Sequence, residues 1–268
     1  MRAGGFRSVA ACMCTLGATI GLAPGAVAAL PNKPGRTTVC QQVATNVGVR
    51  NPATNQVIVV LAVFDEPAKA TLEVATKTPK GWMCGPAMSA RVGRKGVRPL
   101  IDRRSGDGTT PAGVFPLGTM TAWDGQVFSF FGNSANPGVS AGLYRRVKAG
   151  DCFGATPNNV DYGHLVQRAK AKCPGPNDEY LPAVKTAYTH AALIGANMEP
   201  NVSGDAPGEV PYASAIFLHR FNLDTNGNPL ATSGCVSLGL NNLIEVLNGM
   251  QPTTMFAIGA PKWLLANS

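Results

Sequence analysis

The chain has 268 residues, 45% of them apolar and only 14% charged, with a formal net charge of +8. Its 31 glycines and 21 prolines favour many turns and short strands over long helices. No segment is long and apolar enough to cross a bilayer comfortably, and neither a nucleic-acid motif nor a basic helix accounts for the positive charge.

In chain order, residues 1–29 read as an export signal. Arg2 and Arg7 form a positive start, Val9–Leu22 is apolar, and Ala26-Val27-Ala28 fits a small-residue cleavage site. Val9-Ala10-Ala11-Cys12 has the look of a lipid-attachment box, but almost no apolar stretch precedes it. Without Arg2 and Arg7 the remainder carries +6. For a basic exported protein, anionic cell-wall polymer is a better expected partner than nucleic acid. Residues 30–55, polar with Pro and Gly, read as a linker or irregular arm. Val57–Val63 is a β-branched run that predicts a buried strand. Thr71–Lys77 alternates, Pro79-Lys80-Gly81 turns, and Trp82-Met83 starts another short strand. Ala90–Val92, Gly113–Leu117 and Val127–Phe131 read as further strands. Residues 132–178 lack periodicity and read as an insertion or lid. Glu179–His190 suggests a short helix, and Ala191–Ala196 and Ser214–Phe221 suggest strands. Leu240–Leu247 has helical spacing, and Thr254–Ile258 reads as the closing strand. Short strands at close spacing predict a mainly β domain over 56–260, with a few short helices.

Of the seven cysteines, Cys12 and Cys14 fall in the signal. The remaining five are an odd number, so at least one is a free thiol or bridges to another molecule. The economical pairing joins Cys40 to Cys84 and Cys152 to Cys173, each pair in its own part of the chain, and leaves Cys235 free. Four cysteines allow three connectivities, so the pairing is an expectation. No C-x-x-C occurs and the three histidines are scattered, so neither a metal site nor a cofactor is expected.

The chemistry concentrates in Ser214–Leu238. His219 lies near the end of an apolar strand, and Ser233-Gly234-Cys235 follows after a polar loop. Taken alone, His219 reads as a core histidine and Cys235 as a buried or bridged cysteine. Together they offer a thiol, an imidazole to take its proton, and a glycine that permits close backbone approach. A helix starting near Leu240 could turn its N-terminus towards this loop and favour a thiolate.

The element Thr232-Ser233-Gly234-Cys235-Val236-Ser237, with His219 sixteen residues before the cysteine, resembles the signature of the L,D-transpeptidases (YkuD-type catalytic domain). Many members have histidine where this chain has Ser233 and asparagine where it has Ser237. Upstream, Gly106-Asp107-Gly108-Thr109-Thr110-Pro111-Ala112-Gly113-Val114-Phe115 is similar to a second element of that family, preceded here by Val92-Gly93-Arg94-Lys95-Gly96. Alone it is a turn-rich loop, and it is neither a P-loop nor an EF-hand. The two elements lie in the family's order, about 110 residues apart, and the resemblance covers roughly Val57–Ile258.

The resemblance implies a β-sandwich or barrel-like fold and a cysteine acyl transfer on peptidoglycan stem peptides. Cys235 would attack a stem carbonyl, His219 would carry the proton, and the main chain of Arg220 would orient the ring. The N–H groups of Gly234 and Cys235 would hold the oxyanion. Thr232, Ser233 and Phe217 flank the pair and are expected to contact substrate. An amine from a neighbouring stem would complete a 3→3 cross-link; water in its place would make the enzyme a carboxypeptidase. Carbapenems are expected inhibitors. A silent wall-binding module is the competing reading, with Cys235 bridged and His219 buried.

Overall fold

The computed structural model describes residues 37–62, 67–173, 175, 177–199, 202–204, 206 and 208–268. The expected export signal, the start of the expected arm and Val63 lie outside them.

The β-branched run forms the strand Gln56–Ala62, which pairs antiparallel with Lys69–Thr78 and parallel with Met255–Gly259. Both of its faces are buried: Ile58 and Val60 enter one apolar core, Val57 and Val59 another. A continuous apolar run suits a strand covered on both sides. Around it runs a mixed twelve-stranded sheet. From one edge its order is Tyr144–Arg146, Phe130–Gly132, Ala191–Leu193, Phe217–Arg220, Val236–Leu238, Met88–Arg91, Lys69–Thr78, Gln56–Ala62, Met255–Gly259, Thr110–Pro116 and Val97–Pro99, with Gly81–Cys84 paired to Lys69–Thr78.

Ile58 and Phe130 stand six strands apart in that order yet share one core. In a flat sheet they would be about 29 Å apart, so the sheet curls round the core. Leu117 bridges Ile194, and the Gly118 N–H donates to Leu193 at 2.9 Å, tying distant strands together. The fold is the mainly β, sandwich-like arrangement that the sequence predicts. The helix Leu240–Gly249 covers the core with Leu243, Val246 and Leu247.

Four expectations change. The arm expected over 30–55 contains the helix Val39–Arg50, opened by a capping box in which Thr38 and Gln41 exchange hydrogen bonds. Its Cys40, Val43, Ala44 and Val47 pack on the outer face of Gln56–Ala62, and Cys40 is bridged to Cys84. The chain does not close on a strand: Met255–Gly259 is followed by the helix Pro261–Asn267, whose Leu264 joins the same cluster. The insertion is not wholly irregular. Asp151–Phe153 pairs with Leu165–Gln167 on one side and Glu179–Tyr180 on the other, and Cys152 is bridged to Cys173. Finally, Glu179–His190 is a strand residue pair and two 3-10 turns rather than a helix. Pro182 opens the first turn, where its missing N–H costs nothing.

The small sheet is anchored by Arg145, which is fully buried and reaches Asp151 at 2.7 Å and Asp124 at 2.8 Å. Its apolar residues Phe153 and Leu165, with Leu181 and Tyr188 from the 3-10 turns that follow it, cover the second face of Ala191–Leu193 and Phe217–Arg220. Cys235 lies in this cluster.

Candidate active site

Phe217–Arg220 and Val236–Leu238 are parallel neighbours, with Leu218 opposite Val236 and His219 opposite Ser237. Cys235 immediately precedes the second strand and lies beside Phe217, whose N–H donates to the sulfur at 3.4 Å. Side chains two apart on a strand share a face, so His219 stands one step along from Phe217 on the sulfur's side. Cys235 and His219 line one cleft of about 270 Å³. The Tyr188 ring packs edge-on against Phe217 and His219, with centroids 5.8 and 5.5 Å away.

The thiol of Cys235 is unpaired and buried, and it donates to the carbonyl of Ala215 at 3.2 Å. Ala215 has a φ of 52°, a left-handed conformation that costs a non-glycine residue about 1 kcal/mol. That turn delays the strand expected from Ser214 until Phe217 and aims the carbonyl at the sulfur. Among the described residues, the sulfur's hydrogen bonds run to Ala215 and Phe217, not to His219. Proton transfer to the ring therefore requires the thiol to turn away from Ala215, and catalytic contacts often tighten only with substrate bound.

His219 Nδ1 lies 2.6 Å from the Arg220 carbonyl. A carbonyl only accepts, so Nδ1 carries the proton and Nε2 is the basic nitrogen. Arg220 thus supplies its main chain to the site, while its side chain lines neither cleft beside Cys235. Burial lowers the His219 pKa to about 4 despite that hydrogen bond. Burial also pushes the Cys235 thiol up to about 12, with Glu179 acting in the same direction and the Phe217 N–H and Arg103 opposing it. Near neutral pH the pair is an uncharged thiol beside an uncharged imidazole.

Both sequence elements meet at the cysteine. Asp107 folds its turn by accepting from the N–H groups of Arg104 and Thr109, at 3.0 and 2.8 Å. Thr110, just beyond, accepts from the Gly93 N–H at 2.8 Å and donates to the Cys235 carbonyl at 3.2 Å. Thr232 donates to the same carbonyl at 2.6 Å, and its main chain pairs with Val92 and Arg94. A Cβ on Gly93 would come within 2.5 Å of the Gly108 carbonyl, so glycine is needed where the two turns touch.

Three expected roles shift. The Gly234 N–H donates to Thr232 Oγ1 at 3.2 Å rather than standing free for an oxyanion. Ser233 and Thr232 do line the cleft holding His219, but the Phe217 ring is enclosed by Phe131, Phe153 and Tyr188 and offers the site only its N–H. The helix Leu240–Gly249 begins beyond the strand Val236–Leu238. That places its N-terminus about 13 Å along the chain from the sulfur, too far for its dipole to favour a thiolate.

Sequence reasoning missed three charged or polar neighbours. Glu179 and Tyr188 come from the segment after the insertion, and the Tyr188 hydroxyl donates to the Glu179 carboxylate. Arg103 is 1% exposed and lines a second cleft of about 270 Å³ that also ends at Cys235. Its guanidinium donates to the Tyr212 carbonyl at 2.7 Å and lies 3.6 Å from Asp107. Arg103 sits three residues before Gly106 and carried no spacing signal of its own. Elsewhere, a groove of about 600 Å³ between Lys69–Thr78 and Leu240–Gly249 is lined by Val74, Met83, Met88 and Val246 and by none of these groups. Cys40, Glu73 and Cys84 bring three ligand-type atoms within 4.8 Å, but the two sulfurs are bonded to each other and supply no thiolate for a metal.

No protein-family model and no curated protein matches the sequence.

Proposed function

We propose that this protein is a cysteine acyltransferase of the L,D-transpeptidase type, acting on peptidoglycan stem peptides. The observation that carries the reading is the unpaired Cys235 sharing a cleft with a His219 whose Nε2 is free to act as base. Cys235 Sγ attacks the carbonyl that precedes a terminal D-alanine, and His219 Nε2 takes the thiol proton. The ring then gives that proton to the departing amine, leaving the stem as a thioester. An amine of a second stem takes the acyl group and frees the sulfur. Two clefts meeting at Cys235, one beside Arg103 and one beside His219, provide separate approaches for the two stems. The silent-module alternative needs Cys235 in a bridge, and among the described residues the two disulfides use the other four cysteines. The +6 charge suits anionic wall polymer as a surrounding partner.

The test is intact-mass measurement after incubation with a carbapenem. The expected result is one covalent adduct, lost in Cys235→Ala and slowed at least about a hundredfold in His219→Ala. An adduct that persists in Cys235→Ala, or none in the wild type, refutes the reading.

A further inference from the structure

Glu179 is the acidic side chain that reaches both clefts at Cys235. It is delivered there by the insertion: Glu179 pairs with Phe153, next to the Cys152–Cys173 bridge. Among the described residues lining the His219 cleft, it alone carries a full charge when ionised at neutral pH; the others include Tyr188, Asn222, Thr232 and Ser233. Arg103 lies in the other cleft. The Arg103 cleft therefore holds a cation together with the carboxylates of Asp178 and Glu179, whereas the His219 cleft is edged by the Glu179 anion alone.

We propose that Glu179 is the acceptor-binding residue of the acyl transfer, drawing a primary ammonium into the cleft it shares with Tyr188, His219 and Cys235 so that the acyl group passes to an amine rather than to water. The proposal rests on the acyltransferase reading above and extends it to the choice of second substrate. An attacking amine arrives mostly as an ammonium ion and must lose a proton before it can attack. Its proton goes to the Glu179 carboxylate, and the neutral nitrogen adds to the thioester carbonyl. The C–N bond forms and the C–S bond breaks. His219 Nε2 removes a second proton from that nitrogen and passes it to the departing sulfur, which becomes a thiol again. Glu179 then returns its proton to water. Burial raises the Glu179 carboxyl to about 7, against the pull of the Tyr188 hydrogen bond, so it both gains and loses a proton near neutral pH. The hydrogen bond from Tyr188 fixes the carboxylate's position without neutralising it.

The experiment loads Cys235 from an N-acetylated dipeptide thioester and measures, by mass spectrometry, the ratio of amide to hydrolysed product. Two nucleophiles are compared at neutral pH: Nα-acetyl-lysine amide, which carries an ammonium, and hydroxylamine, which is uncharged. The ratio is read on enzyme already acylated, so it does not depend on how fast the thioester forms. In Glu179→Gln the amide keeps an oxygen for Tyr188. There the lysine ratio falls about tenfold or more, while the hydroxylamine ratio does not fall with it. Glu179→Asp, with its charge kept, retains part of the preference. An equal fall for both nucleophiles, no fall for lysine, or an aspartate variant no better than the glutamine one overturns the proposal. A wild-type protein whose Cys235 takes up no acyl group overturns the acyltransferase reading itself, and this one with it.

Discussion

The hydroxyl of Thr110 donates to the carbonyl of Cys235 at 3.2 Å, across 125 residues of sequence. The same hydroxyl accepts from the Gly93 N–H at 2.8 Å. One buried side chain thus ties the two upstream turns to the loop that carries the thiol. Thr110→Val keeps the shape but leaves a buried N–H without its partner. The expected cost is about 1–3 kcal/mol, read as a lower urea midpoint, with slower acylation of Cys235. Thr110→Ser keeps the hydroxyl and is expected to recover most of both. A valine variant as stable as the wild type would show that the bridge does not hold the loop.

The ionisation of Cys235 sets a pH dependence. Only the thiolate is alkylated readily. Because burial raises the folded pKa to about 12, the thiolate fraction at any lower pH is smaller than for a free thiol at about 8.5. The rate of iodoacetamide modification of the folded protein is expected to keep rising beyond about pH 10, and that of the urea-unfolded chain to level off near about pH 9. A folded-state plateau no higher than the unfolded one would contradict the buried, uncharged resting thiol.

The Cys152–Cys173 bridge closes a loop of 21 residues' separation, which corresponds to about 3 kcal/mol of chain entropy. Its strand also positions Glu179. Cys152→Ser with Cys173→Ser is expected to lower stability by that order and to speed Cys235 alkylation, since the insertion covers the sulfur's face of the sheet. Unchanged alkylation in a destabilised variant would separate the bridge from the site.

Much of the fold was legible because strands announce themselves locally. Val57–Ala62 and Met255–Gly259 are apolar runs that suit a strand buried on both faces. The pairing of Cys40 with Cys84 and Cys152 with Cys173 followed from their grouping along the chain. His219 and Cys235 could be joined because a strand, loop and return bring them onto neighbouring strands. The helix Val39–Arg50 escaped notice because its polar face outweighs a narrow buried stripe, although Thr38 and Gln41 form a capping box that the sequence contains. Glu179 and Arg103 escaped because they come together only through long-range packing. The first reaches the cleft through pairing with Phe153, the second through a hydrogen bond to the distant Tyr212 beside its local ion pair with Asp107. Neither arrangement leaves a periodic trace.

The burial of Cys235 also bears on how, among the described residues, its thiol is kept apart from the two disulfides. Exchange begins when a thiolate attacks a sulfur–sulfur bond. A sulfur held protonated, with its hydrogen committed to the Ala215 carbonyl, is a poor attacker of Cys152–Cys173 and of oxidised small thiols outside. The same enclosure therefore guards the protein against scrambling, and under the proposed function a bound substrate would be what awakens the thiol.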